Sequence, residues 1–440
     1  MTTKTKRNQK LTVPGVLLVF AILVIVVPQV GATPQIMTEY GDQMAWRDAE
    51  INAMGGTGTA LYRGGMSNIF NPAFLVNEDN YRLDLGFSLD QEHEDRFVPL
   101  FDGFDSYLTD VAIASNRNHY WQTGAGFAGR LLKGDLPLSV GVSLTDRYPF
   151  SYTFEEEVRN PSGATGDNRD RILEERQRKV TGTLRNLSLG AGLGLFDRLS
   201  FGAAVHYAFG TRTEVNSVRD YEDSSKSYHE QDEFTMDGVN FTVGLRGVIT
   251  ERVELGVSWE SQLSATGNFT TTRLDADDNH IDPFDAEYRY PNVYRVGLTF
   301  RPRTDPRTIF TIEGEYKPWS EMNDSLNPKT GEGDDLQDVG DVRIGVEHTF
   351  YNGIPLRFGF RYFDSYADKE ANASVFSAGV GMPLGNGMLS ASMELSKITS
   401  VQDHQFPYPD NYQGDQFESD PQARVEDTRF RIGVGYKLEF

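Results

Sequence analysis

The chain has no cysteine in 440 residues. Disulfides, thiolate metal sites and cysteine nucleophiles are therefore excluded. Apolar continuity is also scarce. Mean hydropathy is −0.46, and after the first apolar run no stretch is long enough to cross a membrane as a helix. Positive charge is short as well: beyond residue 32, 38 basic side chains face 64 acidic ones, a net charge of −26. Such a surface repels a phosphate backbone, so no nucleic-acid partner is expected. Familiar site motifs are incomplete. Met54-Gly55-Gly56-Thr57-Gly58-Thr59-Ala60 superficially suggests a phosphate loop, but it follows no strand and lacks Gly-Lys-Ser/Thr. In the carboxylate-rich stretch 274–287, Asp275, Asp277 and Asn279 fit early EF-hand spacing. His280 stands where Gly is needed, however, and Ala286 where Glu is needed, so a solvated acidic loop is the expectation. The seven histidines are scattered and no triad pattern is evident. The chain is expected to be no enzyme and to carry no cofactor.

What is present is alternation. From Phe430 on, Phe430, Ile432, Val434, Tyr436, Leu438 and Phe440 share one face, while Arg429, Arg431, Gly433, Gly435, Lys437 and Glu439 share the other. A period of two is that of a strand. An apolar face opposite a charged or bare one suits a wall with lipid outside and a polar lumen inside. At the other end, Lys4, Lys6, Arg7 and Lys10 precede an apolar run over 11–27, and Val30-Gly31-Ala32 offers small residues for cleavage. Residues 1–32 thus read as an export signal.

Alternating segments recur near 81–89, 119–131, 136–148, 184–196, 199–212, 234–249, 253–269, 292–302, 307–319, 341–350, 354–365, 373–384, 387–401 and 425–440, which makes 14 strands. Six connections are tight and rich in Gly, Asn, Asp and Pro; seven are long, near 90–118, 149–183, 213–233, 270–291, 320–340, 366–372 and 402–424. Long and short alternate strictly, as periplasmic turns and external loops do in outer-membrane barrels. The fold expected is all-β: a 14-stranded antiparallel transmembrane β-barrel over 81–440, with 33–80 as an N-terminal lumenal plug, or hatch. Tyr120, Trp121, Tyr148, Tyr316, Trp319 and Tyr362 fall near external strand ends, where interfacial rings are favoured. Inward charges of both signs, among them Arg295, Arg343, Arg357, Arg429, Arg431, Glu260, Glu313 and Glu315, predict a salt-bridge lattice that fills the lumen and holds the plug.

The plug segment carries Gly55-Gly56 and then Asn68-Ile69-Phe70-Asn71-Pro72-Ala73 just before the first strand. Pro72 fixes φ and biases Asn71 to an extended shape, which suits a rigid corner. With the terminal strand and the strand count, this segment resembles the opening of the outer-membrane long-chain fatty acid transporter family (FadL/TodX type); related PorV-type barrels of protein secretion carry the same motif. Phe74 replaces the Gly that commonly follows. The resemblance implies a hatch gated through Gly55, Gly56, Asn71, Pro72 and Ala73. It also implies an outer-membrane location and passive uptake of hydrophobic small molecules such as fatty acids or aromatic hydrocarbons. The alternatives are a secretion-associated barrel that binds protein partners, or a generic porin. A monomer in contact with outer-membrane lipid and lipopolysaccharide is expected. In the first long loop, Phe97, Leu100, Phe101, Phe104, Leu108 and Val111 recur at three- and four-residue steps. That spacing predicts an external helix with one apolar face, packed on its own barrel or capturing substrate.

Overall fold

The computed structural model describes residues 33–45, 47–102, 104, 106–160, 171–196, 198–273, 283–323, 333, 335–407 and 422–440. The segment read as an export signal, residues 1–32, and most of the acidic 274–287 stretch lie outside the described residues. Fourteen strands form one antiparallel sheet. They are β1 (Tyr81–Phe101), β2 (Tyr107–Leu132), β3 (Leu138–Pro149, resumed as Tyr152–Arg159), β4 (Ile172–Phe196), β5 (Leu199–Asp220), β6 (Tyr228–Thr250) and β7 (Val253–Glu260, resumed as Leu263–Arg273). There follow β8 (Phe284–Tyr290, resumed as Val293–Phe300), β9 (Thr308–Lys317), β10 (Val339–Thr349), β11 (Pro355–Phe363), β12 (Ala373–Leu384), β13 (Gly387–Asp403) and β14 (Gln422–Glu439). The terminal strand closes the barrel on β1, with Leu85 opposite Tyr436, Phe87 opposite Val434 and Leu89 opposite Ile432. Closure removes the free edges of an open sheet, and with them the unpaired backbone groups that lipid cannot satisfy.

Outward positions such as Leu189, Val205, Val296, Phe358 and Ile432 are exposed, as a lipid-facing belt requires. No described helix is long and apolar enough to cross a membrane; the strands do so. The architecture is that of an outer-membrane β-barrel.

Three strands are broken. Residues 150–151 interrupt β3, 261–262 interrupt β7 and 291–292 interrupt β8. Pro291 cannot donate to a ladder, and Asn292 fills part of the gap, its Oδ1 accepting from Trp259 Nε1 and Gln262 N, both at 3.2 Å.

The predicted strands were placed correctly but cut short on the external side. β1, β2, β4, β5 and β6 run for 21, 26, 25, 22 and 23 residues, whereas about 9–11 residues cross a bilayer. Much of the expected loops 90–118, 149–183 and 213–233 is therefore continuous ladder standing beyond the membrane. The apolar face stops at the lipid boundary, while the hydrogen bonding does not.

The expected helix in the first loop is absent. Phe97, Leu100 and Phe101 belong to β1 and Leu108 and Val111 to β2, in a hairpin with register shifts at Arg96/Phe97 and Leu100/Phe101. Both shifts insert a residue into β2, at Ile113 and Leu108, and change its facing there.

Candidate functional site: the lumenal hatch and the external hairpins

The segment before β1 lies inside the barrel and is almost wholly buried. It is held by three kinds of contact, taken here from its external end downward.

Its first part closes against the break in β3. Thr33 N donates to Ser151 O at 2.9 Å, Thr33 Oγ1 to Pro149 O at 2.8 Å, and Asp42 N to Pro149 O at 2.8 Å. Around it the external half of the lumen is filled with aromatic side chains. Trp319 is fully buried at the centre, stacked on Tyr366 at 4.5 Å and edge-on to Tyr40 and Tyr290 at 5.6 and 5.8 Å. Tyr366 also donates to Met37 O and Gly41 O. These rings are buried against one another and against the hatch. Of the six aromatics assigned above to the interfacial belt, Trp121, Tyr316 and Tyr362 do face outward. Tyr120, Tyr148 and Trp319 face inward instead. A bulge between Asp146 and Tyr148 turns the last turn of alternation over.

The middle part is fixed by charge. Asp48 caps the short helix α1 (Ala49–Ala53) by accepting from Ile51 N at 2.7 Å. Asp42 pairs with Arg429 at 2.6 Å. Glu50 pairs with Arg63 of the hatch at 3.0 Å and approaches Arg357 and Lys437 of the wall at 3.7 and 3.8 Å. Burial alone would raise the Glu50 pKa, but these cations and Arg82 together hold it well below the usual carboxylate range. Glu313 of β9 accepts from three successive hatch amides, Gly58, Thr59 and Ala60, at 2.9, 2.7 and 3.2 Å. The predicted lattice of inward charges is present: Arg295, Arg343, Arg357, Arg429, Arg431, Glu260, Glu313 and Glu315 are all buried.

The last part is fixed by close approach. The Asn71-Pro72-Ala73 corner is fully buried. Asn71, extended at φ −157°, accepts from Ala73 N and starts a 3-10 turn with Pro72 in first position. Its Nδ2 donates to Thr59 O, Leu245 O and Val257 O at 3.1, 2.9 and 3.3 Å, tying hatch to wall. Gly202 of β5 faces this corner; a Cβ there would stand 2.2 Å from Ala73 N. The inward glycines of the wall are thus seats for the hatch.

This geometry can be set beside known proteins. A family model described as BamG, a PorV-like family, matches residues 140–398, more than half of the chain. The chain belongs to the BamG family. No curated protein matches it. Solved structures do. A Pseudomonas aeruginosa FadL homologue shares the fold at a TM-score of 0.64 and 11% identity, covering 91% of this chain and 100% of that one. The toluene transporter TodX of P. putida gives 0.61 and 13%, and TbuX of Ralstonia pickettii 0.58 and 14%, each covering 91% of this chain and 99% of its own. At such identities the likeness is one of fold, a FadL-type barrel with its lumen occupied.

In this BamG-family barrel the expected hatch residues seat on different parts of the wall, Gly55 against Ile344 and Phe360 and the Asn71–Ala73 corner against Gly202 and Leu245, and the apolar residues of the first hairpin lie apart from both. Phe97 lies under Arg424, 4.6 Å from the guanidinium carbon. Phe101, Leu108 and Phe104 are exposed, Phe104 to 90%. The two hatch glycines differ. Gly55 has φ 69°, and a Cβ would meet Phe360 O at 2.7 Å and Ile344 O at 2.8 Å; Gly56 has φ 79°, but its Cβ would meet nothing nearer than Arg343 Cδ at 3.9 Å. Gly55→Ala is therefore expected to cost roughly 2–3 kcal/mol and Gly56→Ala about 1 kcal/mol, compared through urea midpoints in detergent. Equal costs would mean that wall contact is immaterial. Two features escaped the sequence reading. Inward bare positions give no sign of what fills them, and Glu313 looks like any other lumenal carboxylate until the hatch amides arrive.

Proposed function

We propose that this BamG-family barrel works through its exterior, as a plugged outer-membrane scaffold that docks a protein partner on its external hairpins. The observation that carries this reading is the pairing of a filled lumen with strands that outrun the bilayer and end in exposed Phe101, Phe104, Tyr107 and Leu108. Apolar groups held above a membrane on a rigid ladder favour a macromolecular contact. A photocrosslinker at position 104 or 108 in intact cells tests it. A discrete protein adduct, lost in Leu108→Asp while the barrel still folds, is the expected result. Adducts to lipid alone would overturn it.

A second reading is passive uptake of hydrophobic small molecules such as fatty acids or toluene-like aromatics. The fold shared with the toluene transporters supports it, as does the β3 break, against which the Thr33–Asp42 segment closes. Here Phe97, Leu100, Phe101, Phe104 and Leu108 would capture the ligand. Proteoliposomes that take up a radiolabelled fatty acid or toluene, and lose uptake in Phe104→Asp, would favour this reading over docking.

A further inference from the structure

Where hatch meets wall, midway down the barrel, lies a cavity of about 50 Å³. Its hatch side is formed by Gln43, Arg47, Asn52 and Gly55. Its wall side is unusually cationic, with Arg147, Arg295, Lys317, Arg343, Arg361 and Arg431. The carboxylates that answer them are shared. Glu315 serves Arg295 at 2.5 Å, Lys317 at 2.7 Å and Arg343 at 2.8 Å. Asp341 serves both Arg343 and Arg361 at 2.7 Å, and Glu260 serves both Arg147 and Arg295, at 2.9 and 2.8 Å. Arg431 pairs with two further carboxylates, Asp90 at 2.7 Å and Glu394 at 3.1 Å. With Arg47, seven cations thus face five carboxylates.

Arg47 is the outlier. Among the described residues it makes no ion pair; its guanidinium donates to the backbone carbonyl of Asp146. The Asp146 carboxylate pairs with Arg185, at 3.4 Å, and is shared electrostatically with Arg47. Two further donors on cavity-lining residues, Arg295 Nη1 and Arg343 Nε, are buried with no hydrogen-bond partner. An unanswered buried cation is costly unless a counter-charge reaches it.

We propose that this chamber binds a small inorganic anion, no larger than phosphate, that bridges Arg47 of the hatch to the guanidiniums of the wall. The space would admit such an ion, since one water needs about 10–15 Å³ of such volume, and it excludes an acyl tail. Guanidinium forks facing from several directions supply the directed donors that halides and oxyanions take up. Burial, followed by the field of Arg147, pulls the Arg47 pKa down to about 9 even though the Asp146 carboxylate opposes the shift, consistent with positive charge only partly compensated. The bound ion makes the hatch seat a three-part joint: plug, anion and wall.

The experiment uses the whole barrel in detergent. Crystals soaked in bromide are expected to show an anomalous peak in the chamber, within contact of Arg47 and at least one wall guanidinium. Chloride or phosphate, exchanged against bulky gluconate at constant ionic strength, is expected to raise the unfolding midpoint of the wild type in proportion to the logarithm of its concentration. Arg47→Gln is expected to lose that dependence, leaving only the salt response common to both proteins. Water alone in the chamber overturns the proposal. So does a bromide peak with identical anion responses in wild type and Arg47→Gln, which marks an adventitious ion only. The proposal does not depend on whether the exterior docks protein or captures small molecules.

Discussion

Glu313→Ala is expected to free the middle of the hatch, raising the exchange rates of the Gly58, Thr59 and Ala60 amides by roughly 10²- to 10³-fold, or about 3–4 kcal/mol. One carboxylate oxygen accepts all three N–H groups, at 2.7–3.2 Å. Bonds to an ionised acceptor are stronger than neutral ones. Without the acceptor, three buried donors on one short segment are left unsatisfied together, each at about 1–3 kcal/mol. The opposing term is the desolvation recovered when a buried carboxylate is removed. It is substantial, since Glu313 Oε2 is buried without a partner, and it keeps the estimate below the full sum. Glu313→Gln retains a carbonyl acceptor and should lose only about 1–2 kcal/mol. Hydrogen exchange resolved at these amides is the direct readout, and single-channel current across a planar bilayer the indirect one. Unchanged exchange in Glu313→Ala would mean that other contacts hold the segment.

Trp319→Ala should be the most damaging single truncation in the external half, at roughly 3–5 kcal/mol. The indole is fully buried among Tyr40, Tyr148, Tyr290 and Tyr366; Tyr148 and Tyr290 are carried by strands of the closed barrel, which cannot collapse into the space. Among the described residues its Nε1 has no hydrogen-bond partner, so no polar compensation is forfeited and the loss is one of packing and cavity. Trp121, which faces outward, is the control. Lipid tails replace its contacts, so Trp121→Ala should cost far less. Urea midpoints in micelles compare the two. Equal losses would place the stability of the external half in the wall and not in the aromatic fill.

The outward face of each strand was legible because lipid demands apolar residues at every second position, as at Leu356, Phe358, Phe360 and Tyr362. The inward charges followed by parity. Parity fails wherever a bulge intervenes, and this is why Tyr148 faces inward where alternation places it outward. The length of the external ladders was illegible for a related reason. Beyond the lipid, Glu92, Glu94 and Arg96 alternate with Gln91, His93 and Asp95, so both faces are polar and hydropathy no longer reports the strand. In the hatch, the corner at Asn71-Pro72-Ala73 declared its shape through proline chemistry. Arg47 lies 99 residues from Asp146, and Glu313 lies 253 to 255 residues from the amides it holds, so these partners meet only in the folded barrel.

The hatch takes its seats from every side. Glu313 lies on β9, the carbonyls of Leu245 and Val257 on β6 and β7, Gly202 on β5, and Arg429 on the last strand of all. A plug so widely tethered, and threaded from the β3 break down to Tyr81, cannot be pushed into a finished cylinder one contact at a time. The natural order of assembly is therefore inside-out. The hatch is then expected to serve as a mandrel for the curling sheet, with the zipping of β14 onto β1 as the closing step.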